Sequence, residues 1–377
     1  MSMRRFWGAS LALVLAGAGA SSPAAEMKRG APDWKSAGPL AFGPDGLLFV
    51  GDSQGGAIFA VDTGDKVMDK AGDAIAVAGL NEKVAALLGI EARELMINDL
   101  AVNPASGKAY LAVSRGRGPT AQPVLVRVDR AGKVELVATD DVPFSKAELV
   151  NVPAATPGGN AAPAPARKGM GNRPSMRSQA ITDMAFVDGR VFVAGLSNEE
   201  FSSRLVAIPF PFVAVDGGTS VEIFHGAHGR LETRSPVQTF AAYKIGGEPY
   251  LMAAYTCTPL VKFPVAALKP GAHFKGTTVA ELGNGNQPLD MVVYQKDGKD
   301  FILLANSTRG LMKISTDGVD AAPSIADRVA DTAGLPYEKV NAIPGMVVQL
   351  DALDATRAVV LVQQPDGAMN LSTVPLP

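Results

Sequence analysis

Hydrophobic positions along this 377-residue chain fall in short runs, most of them four or five residues long, each closed by glycine, aspartate or asparagine. Runs this brief, rich in Val, Leu, Ile and Phe and bounded by turn residues, predict short β-strands joined as hairpins. One unit recurs: an apolar strand, a tight turn, and a second apolar strand ending in small polar residues. The first copy covers residues 39–42 and 47–50 around Gly43-Pro44-Asp45-Gly46 and closes on Asp52 and Ser53. The second covers 98–102 and 109–113 and closes on Ser114. The third covers 182–186 and 191–194 around Val187-Asp188-Gly189 and closes on Ser197 and Asn198. The fourth covers 238–241 and 250–254 around Ile245-Gly246-Gly247 and closes on Thr256 and Cys257. The fifth covers 290–293 and 301–305 around Lys296-Asp297-Gly298 and closes on Asn306 and Ser307. The sixth covers 345–348 and 358–362 and closes on Gln363 and Gln364.

Third strands are expected at 57–61, 124–128, 204–208, 260–263 and 311–314, and weaker fourth strands at 134–137 and 221–224. Four antiparallel strands recurring at about 50 residues are the signature of propeller blades. Six copies therefore predict an all-β, six-bladed propeller filling residues 26–377 as one domain. The longest gap separates Asp99 from Asp183. Its excess, about 140–177, is rich in Pro, Ala, Gly and Asn and carries Arg167, Lys168, Arg173 and Arg177. That composition predicts a long surface loop, and a seventh blade would require strands from 142–152.

The N-terminus alters where this fold is expected to work. Arg4 and Arg5 precede an uncharged apolar run over 6–18 and then the triplet Ala18-Gly19-Ala20. That order predicts a secretory signal peptide over 1–25, cleaved after Ala20 or near Ala25, by ordinary secretion or the twin-arginine route. The mature protein is thus expected in the periplasm or outside the cell, without a membrane span and as a monomer. A net charge of −2 with mixed signs gives no basic face for nucleic acid. Cys257 is the single cysteine, so no intrachain disulfide supports the fold.

The stretch Pro44-Asp45-Gly46-Leu47-Leu48-Phe49-Val50-Gly51-Asp52 resembles NHL-repeat and gluconolactonase-type propellers. The resemblance implies six blades. In the gluconolactonase type it also implies a divalent metal held by an early glutamate in a Glu-Gly-Pro stretch, with an Asn and an Asp lining the channel. The matching stretch here is Ser36-Ala37-Gly38-Pro39-Leu40, and Ala37 in the glutamate's place has no atom to ligate a metal.

Blade topology sorts the polar residues by face. The start of each first strand and the end of each second strand meet at one mouth of the channel. Asp99, Asp183, Gln238, Asp290, Asn198, Asn306 and Arg309 are therefore expected around one loop-rich rim, as ligand-binding candidates. An Asp at such a position either caps a turn or contributes to a ring of oxygens for a hard cation or polyhydroxylated ligand. Three acids together call for something cationic or protonated between them, and Arg309 or Arg115 is the candidate cation. His225 and His228 lie i, i+3 in a glycine-rich loop entering the blade of Cys257. Two imidazoles and a thiolate suit zinc or copper. The candidate cofactor is thus a divalent metal: Ca, Zn or Cu. No Gly-x-Ser-x-Gly elbow, Cys-x-x-Cys pair or phosphate loop is present.

The reading that follows is an exported propeller binding a small molecule or periplasmic protein at its rim. The alternatives are a metal-dependent hydrolase or oxidoreductase on the same rim, and an interaction scaffold docking through the basic Pro-rich loop. No motif decides between binding and catalysis.

Overall fold

The computed structural model describes residues 26–69, 74–155, 175–257 and 259–377. The expected signal peptide and the basic residues Arg167, Lys168 and Arg173 lie outside the described residues. Six antiparallel sheets form a six-bladed β-propeller. The turns show why the hairpins close where they do. Asp188 and Gly189 sit at φ 47 and 77, and Asp297 and Gly298 at φ 52 and 75. Two consecutive positive-φ residues make the hairpin turn whose twist matches the flanking strands.

From inner to outer strand, blade 2 comprises Leu95–Val102, Ala109–Arg115, Gln122–Val128 and Val134–Leu136. Blade 3 comprises Asp183–Val187, Arg190–Leu196, Ser203–Pro209 and Thr219–His225. Blade 4 comprises Thr239–Ile245, Glu248–Ala254, Pro259–Pro264 and Thr277–Leu282. Blade 5 comprises Pro288–Lys296, Lys299–Asn306, Gly310–Ser315 and Tyr337–Val340.

Blades 1 and 6 are completed from elsewhere in the chain. Blade 1 takes Leu40–Phe42, Leu47–Asp52 and Ala57–Asp62, and its fourth strand is Val142–Glu148, paired with Ala57–Asp62. Blade 6 takes Met346–Ala352, Arg357–Gln363 and Met369–Pro375, and Ala76–Val77 closes it against Met369–Pro375. The expectation of loop from about residue 140 is corrected accordingly. Residues 142–148 are a strand, and it finishes blade 1 rather than starting a seventh blade.

The ring order is 2-1-3-4-5-6, closing from 6 back to 2. Six apolar clusters fill the seams. They join blades 1 and 2 through Leu48, Phe59, Tyr110 and Leu125, and blades 1 and 3 through Phe49, Ile58, Val193 and Val206. Blades 3 and 4 meet at Phe192, Val221, Phe240 and Leu251, and blades 4 and 5 at Met252, Val279, Ile302 and Leu304. Blades 5 and 6 meet at Leu303 and Val360, and blades 6 and 2 at Leu111, Val126, Val359 and Leu361. Successive residues point to opposite seams: Phe49 faces blade 3, while Leu48 and Val50 face blade 2. Burial on both faces explains why the strands read as unbroken apolar runs rather than alternating ones.

The chain therefore leaves blade 1 after its third strand, builds blade 2 between blades 6 and 1, and returns to finish blade 1. The helix α1 (Leu80–Leu88) belongs to this excursion and seats Leu80 and Val84 in the seam between blades 2 and 6. Among the described residues no helix is long and apolar enough to cross a membrane.

Candidate functional site

The channel carboxylates act first as latches between blades. Asp99 Oδ2 accepts the Leu40 N–H at 2.6 Å, and Asp183 Oδ2 accepts the Phe240 N–H at 2.6 Å. Asp290 Oδ2 accepts the Leu350 N–H at 2.8 Å, and Asp351 Oδ2 accepts the Val102 N–H at 2.7 Å. Every latch runs the same way round the ring, each to the neighbouring inner strand. Gln349 completes the network when its amide is turned so that the nitrogen faces the acids, donating to Asp99 Oδ1 at 2.9 Å and Asp290 Oδ2 at 3.0 Å. Burial pushes these carboxyls up. Asp183 rises to about 7 and Asp351 to about 6. Asp99 stands well above the usual carboxylate range through burial and the neighbouring Asp183, and Asp290 through burial and Asp99.

The cation expected among them is elsewhere. Arg115 donates to Gln122 Oε1 at 3.3 Å, and Arg309 pairs with Asp331 at 3.2 Å. Both arginines are therefore corrected as partners of the ring.

The remaining rim candidates divide. Gln238 accepts from Gln287 Nε2 at 2.9 Å. Asn198 is exposed, its N–H donating to the Asn151 carbonyl at 2.8 Å. Asn306 is buried, and its Oδ1 caps the turn at the Thr308 and Arg309 N–H groups. Its Nδ2 donates to Asn286 Oδ1 at 2.8 Å, which ties it to the second cluster below. The opposite mouth, expected to carry only short turns, holds an open hollow of about 390 Å³ lined by Tyr243, Tyr250, Tyr294 and Asp300. The hydroxyls of Tyr243 and Tyr294 already donate, to Asp300 and to the Pro377 carbonyl.

His225, His228 and Cys257 do converge, at the outer end of the seam between blades 3 and 4. One ligand atom from each lies within 4.8 Å of the other two. The outer strand of blade 3 alternates buried and half-buried residues, so burying Thr219, Val221 and Ile223 also turns His225 inward. The strand stops there, and the His225 carbonyl accepts the N–H groups of His228 and Gly229. That turn folds His228 back over His225, with ring centroids 3.9 Å apart. Cys257 sits in the turn between the second and third strands of blade 4 at φ 63. A left-handed backbone is uncommon at a non-glycine residue and collects at functional sites. The Cys257 N–H donates to the Asn286 carbonyl at 2.8 Å.

Glu232 organises the cluster. Its Oε2 stands 3.2 Å from His225 Nδ1, and its Oε1 stands 2.5 Å from His228 Nδ1. Ser235 and Arg230 flank the same carboxylate. His225 is 2 % exposed, and neither ring nitrogen makes a well-directed hydrogen bond. Burial opposes charge on His225, but the nearby Cys257 and Glu232 outweigh it and lift the imidazole to about 9. Glu232 is held far below the usual range: burial works against this, but His225, Ser235 and His228 prevail. The imidazole beside it draws the Cys257 thiol down. Under Gly226 lies Glu281, 1 % exposed, whose Oε1 accepts the Gly226 N–H while Oε2 has no partner.

These three side chains are candidate ligands for one transition-metal ion: bonds of about 2.0–2.3 Å put two donors on one ion no more than about 4.5 Å apart, and the three ligand atoms lie within 4.8 Å of one another. Glu232 accepts from His228 Nδ1 and stands beside His225 Nδ1, which leaves the Nε2 atom of His228 to ligate. A carboxylate behind a ligating histidine fixes its tautomer and ring direction. Glu232 and Glu281 were not legible as site residues, because nothing in their local sequence sets them apart. The sole weak signal was a glutamate four residues past the second histidine of the loop.

No protein-family model matches the chain. No curated protein matches it either. Among solved structures, the chain is similar to a putative glucose dehydrogenase from Thermus thermophilus, at 13 % identity over 92 % of this chain and 99 % of that one, with a TM-score of 0.34. It is similar to a PQQ-bound aldose sugar dehydrogenase from Streptomyces coelicolor, at 13 % identity over 94 % and 99 %, with a TM-score of 0.36. It is also similar to the arabinanase Arb43A of Bacillus subtilis, at 11 % identity over 74 % and 96 %, with a TM-score of 0.38. Likeness at this level bears on no residue of the site and on no activity.

Proposed function

We propose that this chain is an exported metal-binding β-propeller whose loop-rich face holds one transition-metal ion on His225, His228 and Cys257. The observation that carries the reading is the Glu232 carboxylate resting on Nδ1 of both histidines while the third ligand arrives from a different blade. Chance proximity of surface histidines gives no reason for a half-buried acid to orient both at a thiol. The donor set argues against calcium, which takes six to eight oxygens. Three protein ligands leave a coordination position for a fourth group from solvent or a bound molecule.

The channel carboxylates contribute differently. Each already satisfies a backbone N–H of the next blade, so they support the rim rather than bind its ligand. The likeness to gluconolactonase-type propellers extends to the blade pattern but not to a channel metal. Ala37 is 1 % exposed in the seam between blades 1 and 2, and its carbonyl accepts from Asn98 at 2.7 Å.

The test is metal analysis of the mature protein after purification without chelator, followed by titration of the stripped protein with Zn(II) and Co(II). One equivalent bound, and its loss in His225→Ala and Cys257→Ala, is expected. Wild-type protein that binds neither ion above background overturns the reading.

A further inference from the structure

We infer that the ion is copper and that the centre transfers single electrons, with the His228 ring as the edge through which they pass. This rests on the metal-binding reading and adds the identity and work of the ion.

Three features of the site point the same way. The first is the donor set, one thiolate and two imidazoles with no carboxylate among the ligating atoms. Such a three-donor set with no strong fourth ligand is the arrangement that suits copper cycling between its two oxidation states. The second is the environment of the sulfur. It sits in a turn whose backbone is tied to the neighbouring loop, the Cys257 N–H donating to the Asn286 carbonyl at 2.8 Å. Asn286 is fixed by its own Nδ2 on the Gly283 carbonyl at 2.7 Å and by Asn306 at 2.8 Å. These bonds hold in place the loop against which the sulfur-bearing turn rests.

The third feature is the split in exposure. His225 is 2 % exposed and Cys257 half-buried, whereas the His228 side chain is 45 % exposed. One imidazole thus shields the ion while the other joins it to solvent. A hydrolytic centre calls instead for a base at the open position. The nearest uncommitted carboxylate oxygen, Glu281 Oε2, is buried beneath Gly226. The reaction is one electron in and one out. Cu(II) accepts an electron from a reduced one-electron carrier to give Cu(I), then returns it to an oxidised carrier, and no bond to sulfur breaks.

The experiment loads the stripped full-length mature protein with one equivalent of Cu(II) and records its visible spectrum. An intense thiolate-to-copper charge-transfer band is expected. Ascorbate should bleach it and ferricyanide restore it over repeated cycles, with the Cys257 thiol recovered intact after copper removal. Cys257→Ser should lose the band entirely. Because that residue sits in a constrained turn, His228→Gln on the exposed loop is the companion variant. It should fold as wild type and lose or strongly weaken the band. Binding of Zn(II) or Co(II) at one equivalent, with Cu(II) giving only weak ligand-field bands or oxidising the thiol, overturns the copper assignment and leaves the metal site standing. A wild-type protein that binds none of these ions overturns both.

Discussion

Glu232 uses two oxygens on two imidazoles, so its replacement separates orienting from ligating. Glu232→Gln keeps the shape but offers one acceptor where two are used. Metal affinity is expected to fall by about 10- to 100-fold, the usual cost of losing a carboxylate behind a ligating histidine. Competition against a chelator of known affinity measures it, and unchanged affinity would remove Glu232 from the site. The channel acids answer to pH. Asp183, at about 7, and Asp351, at about 6, lie above the ordinary 3.8 of an aspartate. A carboxyl raised in the folded state stabilises the fold fully below its unfolded value, and that contribution is lost as pH rises through the folded one. The ring's contribution is therefore complete below about pH 4 and declines toward about pH 7. Asp183→Asn sacrifices a latch acceptor but carries no charge. Its deficit in melting temperature relative to wild type should narrow between about pH 5 and 8, and a constant deficit would show that the carboxyl does not titrate in that window. Asp99, Asp183 and Asp290 were legible as a recurrent first-strand position, whereas Asp351, further along the inner strand of blade 6, was not. Their partners were not, because each is a backbone N–H of another blade.

At the scale of elements, the hairpins were readable because their cause is local. Asp-Gly turns and apolar runs fix strand ends without help from distant chain. The helix Leu80–Leu88 is the opposite case. Gly79 and Gly89, both left-handed, bound it, and no side chain caps its start. Packing, rather than capping, holds it: Leu80 and Val84 are fully buried between blades 2 and 6. Leu80→Ala should cost about 2–5 kcal/mol in denaturant unfolding, as for other buried leucines reduced to alanine. Metal binding across the blade 3–4 seam should be unchanged in the folded protein. The two-residue strand Ala76–Val77 adjoins this helix and closes blade 6, so the same variant should expose that edge first.

At the scale of the whole molecule, the exchanged positions of blades 1 and 2 give a direct test. The Asp351 latch lands on Val102 of blade 2, not on blade 1 or 3. Asp351→Asn should therefore speed hydrogen exchange at the inner strand of blade 2, over 95–102, and leave 183–187 in blade 3 unaffected. Acceleration in blade 3 instead would contradict the ring order. By itself the sequence determined the all-β class, the hairpins with their turns, and a repeat that favoured six blades while leaving a seventh open. All of these follow from side-chain periodicity and turn chemistry within a few tens of residues. Only the tertiary structure decided that residues 142–148 return to blade 1, that Ala76–Val77 closes blade 6, and that the channel acids clasp their neighbours. It also brought Glu232 beside both histidines and tied the Cys257 N–H to the Asn286 carbonyl. Strand pairing is chosen by backbone hydrogen bonds and seam packing, which any of several apolar runs satisfies equally well in sequence. The side chains around one thiol come from separate loops that meet only once the blades have closed into a ring.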